Sequence, residues 1–237
     1  MIRVSFLYDV FQAYVPTKEH NRIPAQDRGY IVNENNGIIS MALCDGAGSL
    51  NMSGEGAGEV SKLIAEMINN NWEQYKKAFP SEVRKEIYIA IKLKLKELSQ
   101  LYNCNQDDFG STVVALATDG EICIAIHLGD GAIISKDKDT IKILSYPVNG
   151  VVKEATYLTT SRYAYDNIRF YRFERSDSQY MLITDGICWW NKKLIKNLLD
   201  SADEKKMISI ISDSQSDDDA STIMFKIQED KVYGDDN

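Results

Sequence analysis

The stretch from Ser111 to Ser145 most limits the possible folds. "STVVALA" and "EICIAIHL" flank Thr118-Asp119-Gly120, and "AIIS" and "TIKILS" flank the charged "KDKD". Apolar, β-branched runs on either side of an Asp-Gly link predict a tight antiparallel hairpin. Parallel neighbours would need a crossover of about a dozen residues or more. Four strands on such short links exclude a parallel, Rossmann-like sheet and predict an antiparallel core.

The flanking regions supply more strands and the helices. "IRVSFLY", "GIISMALC", "QYMLITDG" and "STIMFKI" read as strands. Val60, Leu63, Ile64, Met67, Ile68 and Trp72 recur at three- and four-residue steps. They predict a helix from Gly54 to about Phe79, with Ser53 as its cap. Val83, Ile87, Ile91, Leu95 and Leu98 mark a second helix starting after Ser81. Inside it "IKLKLKEL" alternates like a strand, but the good helix formers around it favour a helix. Residues 147–178, polar and rich in Tyr and Arg, read as a long connection with a strand near "IRFYRF". "NKKLIKNLL" and "DEKKMISIIS" suggest short helices. The polar tail from about 228 to 237 is expected to fray. No repeat or long linker divides residues 1–237, so one domain is expected, an antiparallel β core with helices packed on it.

Composition narrows the partners. A net charge of −8 argues against nucleic acid or an anionic membrane as the main partner. No run approaches the ~18–20 apolar residues that cross a bilayer, and the N-terminus lacks a signal-peptide pattern, so a cytoplasmic protein is expected. The four cysteines stand far apart with no C-x-x-C pair, which fits reduced core residues.

Asp-Gly pairs recur at Asp45, Asp119, Asp130 and Asp185. Asp119-Gly120 lies between two runs that pair well and is a turn. Asp45 differs, because the strand before it runs into "GAGSLNMSGEGAG", too glycine-rich to pair back. Its carboxylate and the Gly46 carbonyl are left at a strand end where both could face a ligand. Asp185 repeats that arrangement after "MLIT". Asp130 is open to either reading, and Asp217, Asp218 and Asp219 stand just before the last strand. Acids converging without a counter-ion would repel each other strongly, and a divalent cation resolves the repulsion. Aspartates without Cys or His specify a hard ion, Mg2+ or Mn2+.

The order of these motifs resembles a known family. "RIPAQD", "ALCDGAGS", "FGSTVVALA", "IHLGDGAIIS", "MLITDG" and "DDDASTIMF" are similar to the successive motifs of the PPM, or type 2C, metal-dependent serine/threonine protein phosphatases. The variant resembled is the compact bacterial form. The resemblance implies an α+β fold, a four-layer αββα sandwich of two antiparallel β-sheets flanked by helices. It implies a binuclear Mg2+ or Mn2+ centre in which Asp45 bridges the ions and Asp185 and Asp218 complete the first. The Gly46 carbonyl would bind the second ion, with Gln26 or Asp27 acting through water. Asp130 and Asp185 would hold a looser third ion, and Asp219 is the alternative should the triple aspartate align one place later. Arg22 would hold the substrate phosphate.

The implied reaction is hydrolysis of phosphoserine or phosphothreonine in a protein, opposing a cognate Ser/Thr kinase. A water bridging two cations loses a proton readily and attacks phosphorus in line, while the cations and a guanidinium stabilise the equatorial oxygens. Three departures from the family pattern matter. Ala47 replaces the histidine of eukaryotic members, Gln26 replaces a common glutamate, and "GDGA" lacks the serine and arginine often found after that aspartate. Of the two histidines, His20 and His127, the latter lies within a strand and reads as a core residue. These departures keep a second class open: a catalytically weak relative that serves as a regulatory or phosphoprotein-binding module.

Overall fold

The computed structural model describes residues 2–17, 25–34, 36–148, 156–201 and 203–233. Strands β1 (Ile2–Val15), β2 (Arg28–Asn33) and β3 (Ile39–Cys44) lead into helices α1 (Ser53–Asn70), α2 (Trp72–Tyr75) and α3 (Pro80–Tyr102). After a 3₁₀ turn at Gln106–Phe109 come β4 (Val113–Thr118), β5 (Ile122–Leu128), β6 (Ala132–Asp137) and β7 (Thr140–Ser145). The chain continues through α4 (Ala164–Asn167), β8 (Arg169–Glu174), β9 (Gln179–Ile183), α5 (Lys192–Leu199), α6 (Glu204–Asp213) and β10 (Ala220–Tyr233).

The strands form two five-stranded antiparallel sheets, ordered β1-β10-β9-β6-β7 and β2-β3-β4-β5-β8. Three apolar layers hold the stack together. Met41, Leu43, Val114, Leu116, Leu182 and Phe225 meet between the sheets. Their alternate neighbours Ala42, Cys44, Ala115 and Ala117 pack under α1 and α3. Ile134, Met181, Ile183 and Met224 pack under α5 and α6. Both faces of the central strands are thus covered, which is why "SMALC" and "VVALA" are apolar without alternation. The expected αββα sandwich is the observed one.

Several local expectations are corrected. The helix expected to reach Phe79 stops at Asn70, where the side-chain amide of Asn71 takes the Met67 carbonyl at 2.9 Å beside that residue's ordinary helical backbone bond at 3.0 Å. Ser53 does not cap it. Ser53 is already helical, and its hydroxyl donates to the Leu50 carbonyl at 3.1 Å. The second helix begins two residues earlier than expected, on Pro80, where a missing N–H costs nothing. "RGYIVN", unassigned from sequence, is the edge strand β2. The tail expected to fray from 228 stays paired to Tyr233, opposite Ile2.

The link between the two central hairpins is also more than a turn. β4 and β5 pair in one sheet, β6 and β7 in the other. Residues 129–131 therefore carry the chain across the sandwich, with Asp130 at their middle.

Candidate metal centre

The strand registers gather the acids at one end of the sandwich. Arg28 pairs with Cys44, Leu43 with Val114 and Val113 with Leu128, which aligns Asp27, Asp45 and Asp130 beyond one sheet. Ala132 and Thr222 both pair with Ile183, which brings Asp185 and Asp218 to the same end of the other.

Carboxylate oxygens of Asp45, Asp130 and Asp185 lie within 4.8 Å of one another. Asp218 is exposed and stands outside that group, yet close enough that its charge acts on all three. Asp27 lies behind them, only 3% exposed. Its carboxyl is within hydrogen-bonding range of Asp45, and Thr184 Oγ1 donates to its Oδ2 at 3.0 Å. Its Oδ1 is buried with no hydrogen-bond partner.

The electrostatics follow from this crowding. Asp185 reaches solvent, yet desolvation at its carboxyl and then the Asp130 and Asp218 charges push it up to about 7. Burial likewise raises Asp27 to about 7, with Asp219 adding to it against hydrogen bonds from Ser221 and Thr184. Asp45 is held well above the carboxylate range by burial and then by Asp27 and Asp185. Asp130 is raised by burial, opposed by a hydrogen bond from Thr156. All four shifts favour the neutral carboxyl, which marks the repulsion that a bound cation would relieve.

The backbone supports are local and specific. The Thr112 hydroxyl accepts the Asp45 N–H at 3.1 Å, and the Thr112 N–H donates to the Asp45 carbonyl at 2.8 Å. Gly46 bridges to Ser111, and a Cβ on it would come within 2.8 Å of the Ser53 carbonyl oxygen at the start of α1. The Gln26 side chain donates to the Leu50 carbonyl at 3.3 Å, which ties it to the glycine-rich loop rather than to the acids.

The other candidates separate cleanly. Asp219 does not point at the acids: its two oxygens accept the Thr17 and Gln26 N–H groups at 2.9 and 2.8 Å. Asp119 is the turn residue expected, receiving the Glu121 and Ile122 amides at 3.0 and 2.8 Å. His127 is fully buried. Its Nε2–H donates to the Gly129 carbonyl at 3.1 Å, so Nδ1 accepts from the Ser145 hydroxyl at 2.7 Å. Burial and the Arg169 charge lower it to about 3, and it serves as a neutral core residue. Arg22 and His20 lie outside the described residues. The supporting hydroxyls Thr112 and Thr184 were missed from sequence. The available signal was a threonine placed directly beside an apolar strand at the site end, as in "FGSTVV" and "LITDG".

A family model described as protein phosphatase 2C matches residues 16–222. Among solved structures, a bacterial serine phosphatase has a TM-score of 0.68 at 15% identity, over 98% of this chain and 100% of that one. The serine/threonine phosphatase Stp1 from Staphylococcus aureus reaches 0.64 at 15%, over 99% and 96%. The catalytic domain of the serine threonine protein phosphatase PstP, in complex with two manganese ions, reaches 0.63 at 12%, over 95% and 99%. At such identities the likeness is one of fold. No curated protein sequence matches significantly.

Proposed function

The chain belongs to the protein phosphatase 2C family of metal-dependent serine/threonine phosphatases, and we propose that its own aspartates hold two Mg2+ or Mn2+ ions. In that assignment Asp45 would serve both ions, and Asp185 and Asp218 would complete the first. The Gly46 carbonyl would serve the second, with Asp27 acting through water. Asp130, with Asp185, offers a looser third position.

The observation that carries the assignment is the meeting of Asp45, Asp130 and Asp185 within 4.8 Å, from loops that end strands in both sheets. Ionised, these groups would repel each other strongly in a partly desolvated site, so a cation suits them. The donors are all oxygen, as hard ions require. The buried, partnerless Asp27 Oδ1 adds a second sign, because such an atom costs about 1–3 kcal/mol unless a water or ion meets it.

Bound divalent ions supply charge neutralisation and an activated water nucleophile. The chain's own part is to fix the carboxylates: Thr112 locks Asp45 from both sides of its peptide, and Thr184 orients Asp27. His127, buried and neutral, is not placed to protonate the leaving alkoxide. Arg22 stays the proposed phosphate ligand on family grounds. An inert phosphoprotein-binding module is not favoured, because the acids of the site are all present. The substrate is a phosphorylated protein, and we assign an opposing Ser/Thr kinase in a bacterial cytoplasm.

The test is hydrolysis of p-nitrophenyl phosphate and of a phosphothreonine peptide. Activity should require Mn2+, stop with EDTA, return on adding Mn2+, and fall by about 100-fold or more in Asp185→Ala. Turnover indifferent to both chelation and that substitution would overturn the assignment.

A further inference from the structure

Asp219 sits beside the rim acid Asp218, yet its carboxylate is spent on backbone. Oδ1 accepts the Thr17 N–H at 2.9 Å and Oδ2 the Gln26 N–H at 2.8 Å, across 202 and 193 positions of sequence. Neither bond is a local turn. Its own carbonyl lies against Gly186, where an added Cβ would come within 2.1 Å of it. One residue thus touches the segments that carry Asp27, Asp185 and Asp218.

The chemistry requires an acid here. Two backbone N–H groups approach two different oxygens. An asparagine would offer one acceptor and turn its NH2 toward the other donor. Gln26 is the residue that most transmits the constraint. Its N–H is fixed by Asp219, its side chain by the Leu50 carbonyl at 3.3 Å, and the next residue is Asp27. Thr184 holds Oδ2 of Asp27 while Oδ1 has no partner, so its place opposite Asp45 also depends on how the chain enters β2.

We propose that Asp219 is a positioning residue: it brackets Thr17 and Gln26 and thereby holds Asp27 against Asp45 in a geometry ready for the second ion, without binding metal itself. This rests on the metal-centre assignment above. Residues that orient metal ligands typically change affinity by about 10–100-fold when altered.

The test uses the full chain and Mn2+ alone, read by calorimetric titration and by amide hydrogen exchange. Asp219→Asn should keep the wild-type number of Mn2+ ions but bind one of them about 10-fold or more weakly. In the same variant the Thr17 and Gln26 amides should lose protection while those of the central strands keep it. Asp218→Asn should weaken Mn2+ binding and leave the Thr17 and Gln26 amides protected. Asp219→Glu keeps both acceptors on a longer stem and should show a smaller loss of each kind; it carries the test if Asp219→Asn does not fold. An Asp219→Asn protein that loses one ion outright with both amides still protected makes Asp219 a ligand and overturns the proposal. Unchanged affinity and protection also overturn it while leaving the metal centre intact. Wild-type protein that takes up no Mn2+ overturns both.

Discussion

The Thr184 hydroxyl donates to Oδ2 of Asp27 at 3.0 Å, tying the end of β9 in one sheet to the entrance of β2 in the other. Thr184 Oγ1 in turn accepts the Ser221 N–H at 3.0 Å. Thr184→Val keeps the shape and removes the hydroxyl, leaving the buried Ser221 amide unmet and the buried Asp27 carboxyl one donor short. We expect a loss of about 1–3 kcal/mol, read as a lower melting temperature, with Thr184→Ser losing less.

Metal-free stability should fall as pH rises through the neutral range. Folded Asp27 and Asp185 keep their protons up to about 7, whereas the unfolded chain releases them near ~4. Between those values the folded state binds more protons, so raising pH favours unfolding. His127 works in the opposite sense: the unfolded imidazole charges below ~6.5, the buried one only near about 3. The acids outnumber it. Thermal melts in EDTA should therefore give a higher midpoint at about pH 5.5 than at about pH 7.5, and saturating Mn2+ should raise the midpoint most at the higher pH. A midpoint that climbs with pH in EDTA would contradict this.

Asp45→Asn should separate stability from metal binding. It removes the carboxyl on which the Asp27, Asp185 and Asp218 charges all bear. At about pH 8 in EDTA the variant should melt above wild type, by roughly 2 °C or more for each 1 kcal/mol of repulsion relieved. Added Mn2+ should then raise its midpoint far less than it raises that of wild type.

Gly186→Ala meets backbone rather than a yielding side chain. The new Cβ would sit 2.1 Å from the Asp219 carbonyl oxygen and 2.8 Å from its carbon. We expect a cost of about 2 kcal/mol or more in chemical denaturation, and weaker Mn2+ binding, because Asp185 moves with its neighbour.

How much could be read in advance depended on the reach of each interaction. The hairpin at Asp119 and the amphipathic stripe from Val83 to Leu98 are written in neighbouring residues, and both were legible. Asp45 and Asp185 could be recognised as strand-end acids because an apolar run stops at each. That these two would stand beside Asp130 could not come from periodicity; only the motif order suggested it. The bonds from Thr184 to Asp27 and from Asp219 to Thr17 and Gln26 join residues 157 to 202 positions apart. No local pattern announces such pairs. The break at Asn71 was missed because the apolar spacing continues through it to Trp72, and only a side-chain amide ends the helix. β2 was missed because "RGYIVN" is short, half-exposed and flanked by polar residues.

Asp27 and Asp45 flank strands of one sheet, Asp185 and Asp218 flank strands of the other, and Asp130 rides the three-residue span between them. Ions gripped by all of these would act as rivets through the two layers at a single end of the stack. The far end is tied without them, by apolar packing and by Trp72 and Lys76 holding the Asp119 carboxylate of the β4–β5 hairpin, so loading would stiffen the molecule lopsidedly. Chelation would then loosen the mouth first and leave the opposite edge shut, a hinge whose pin is the cofactor.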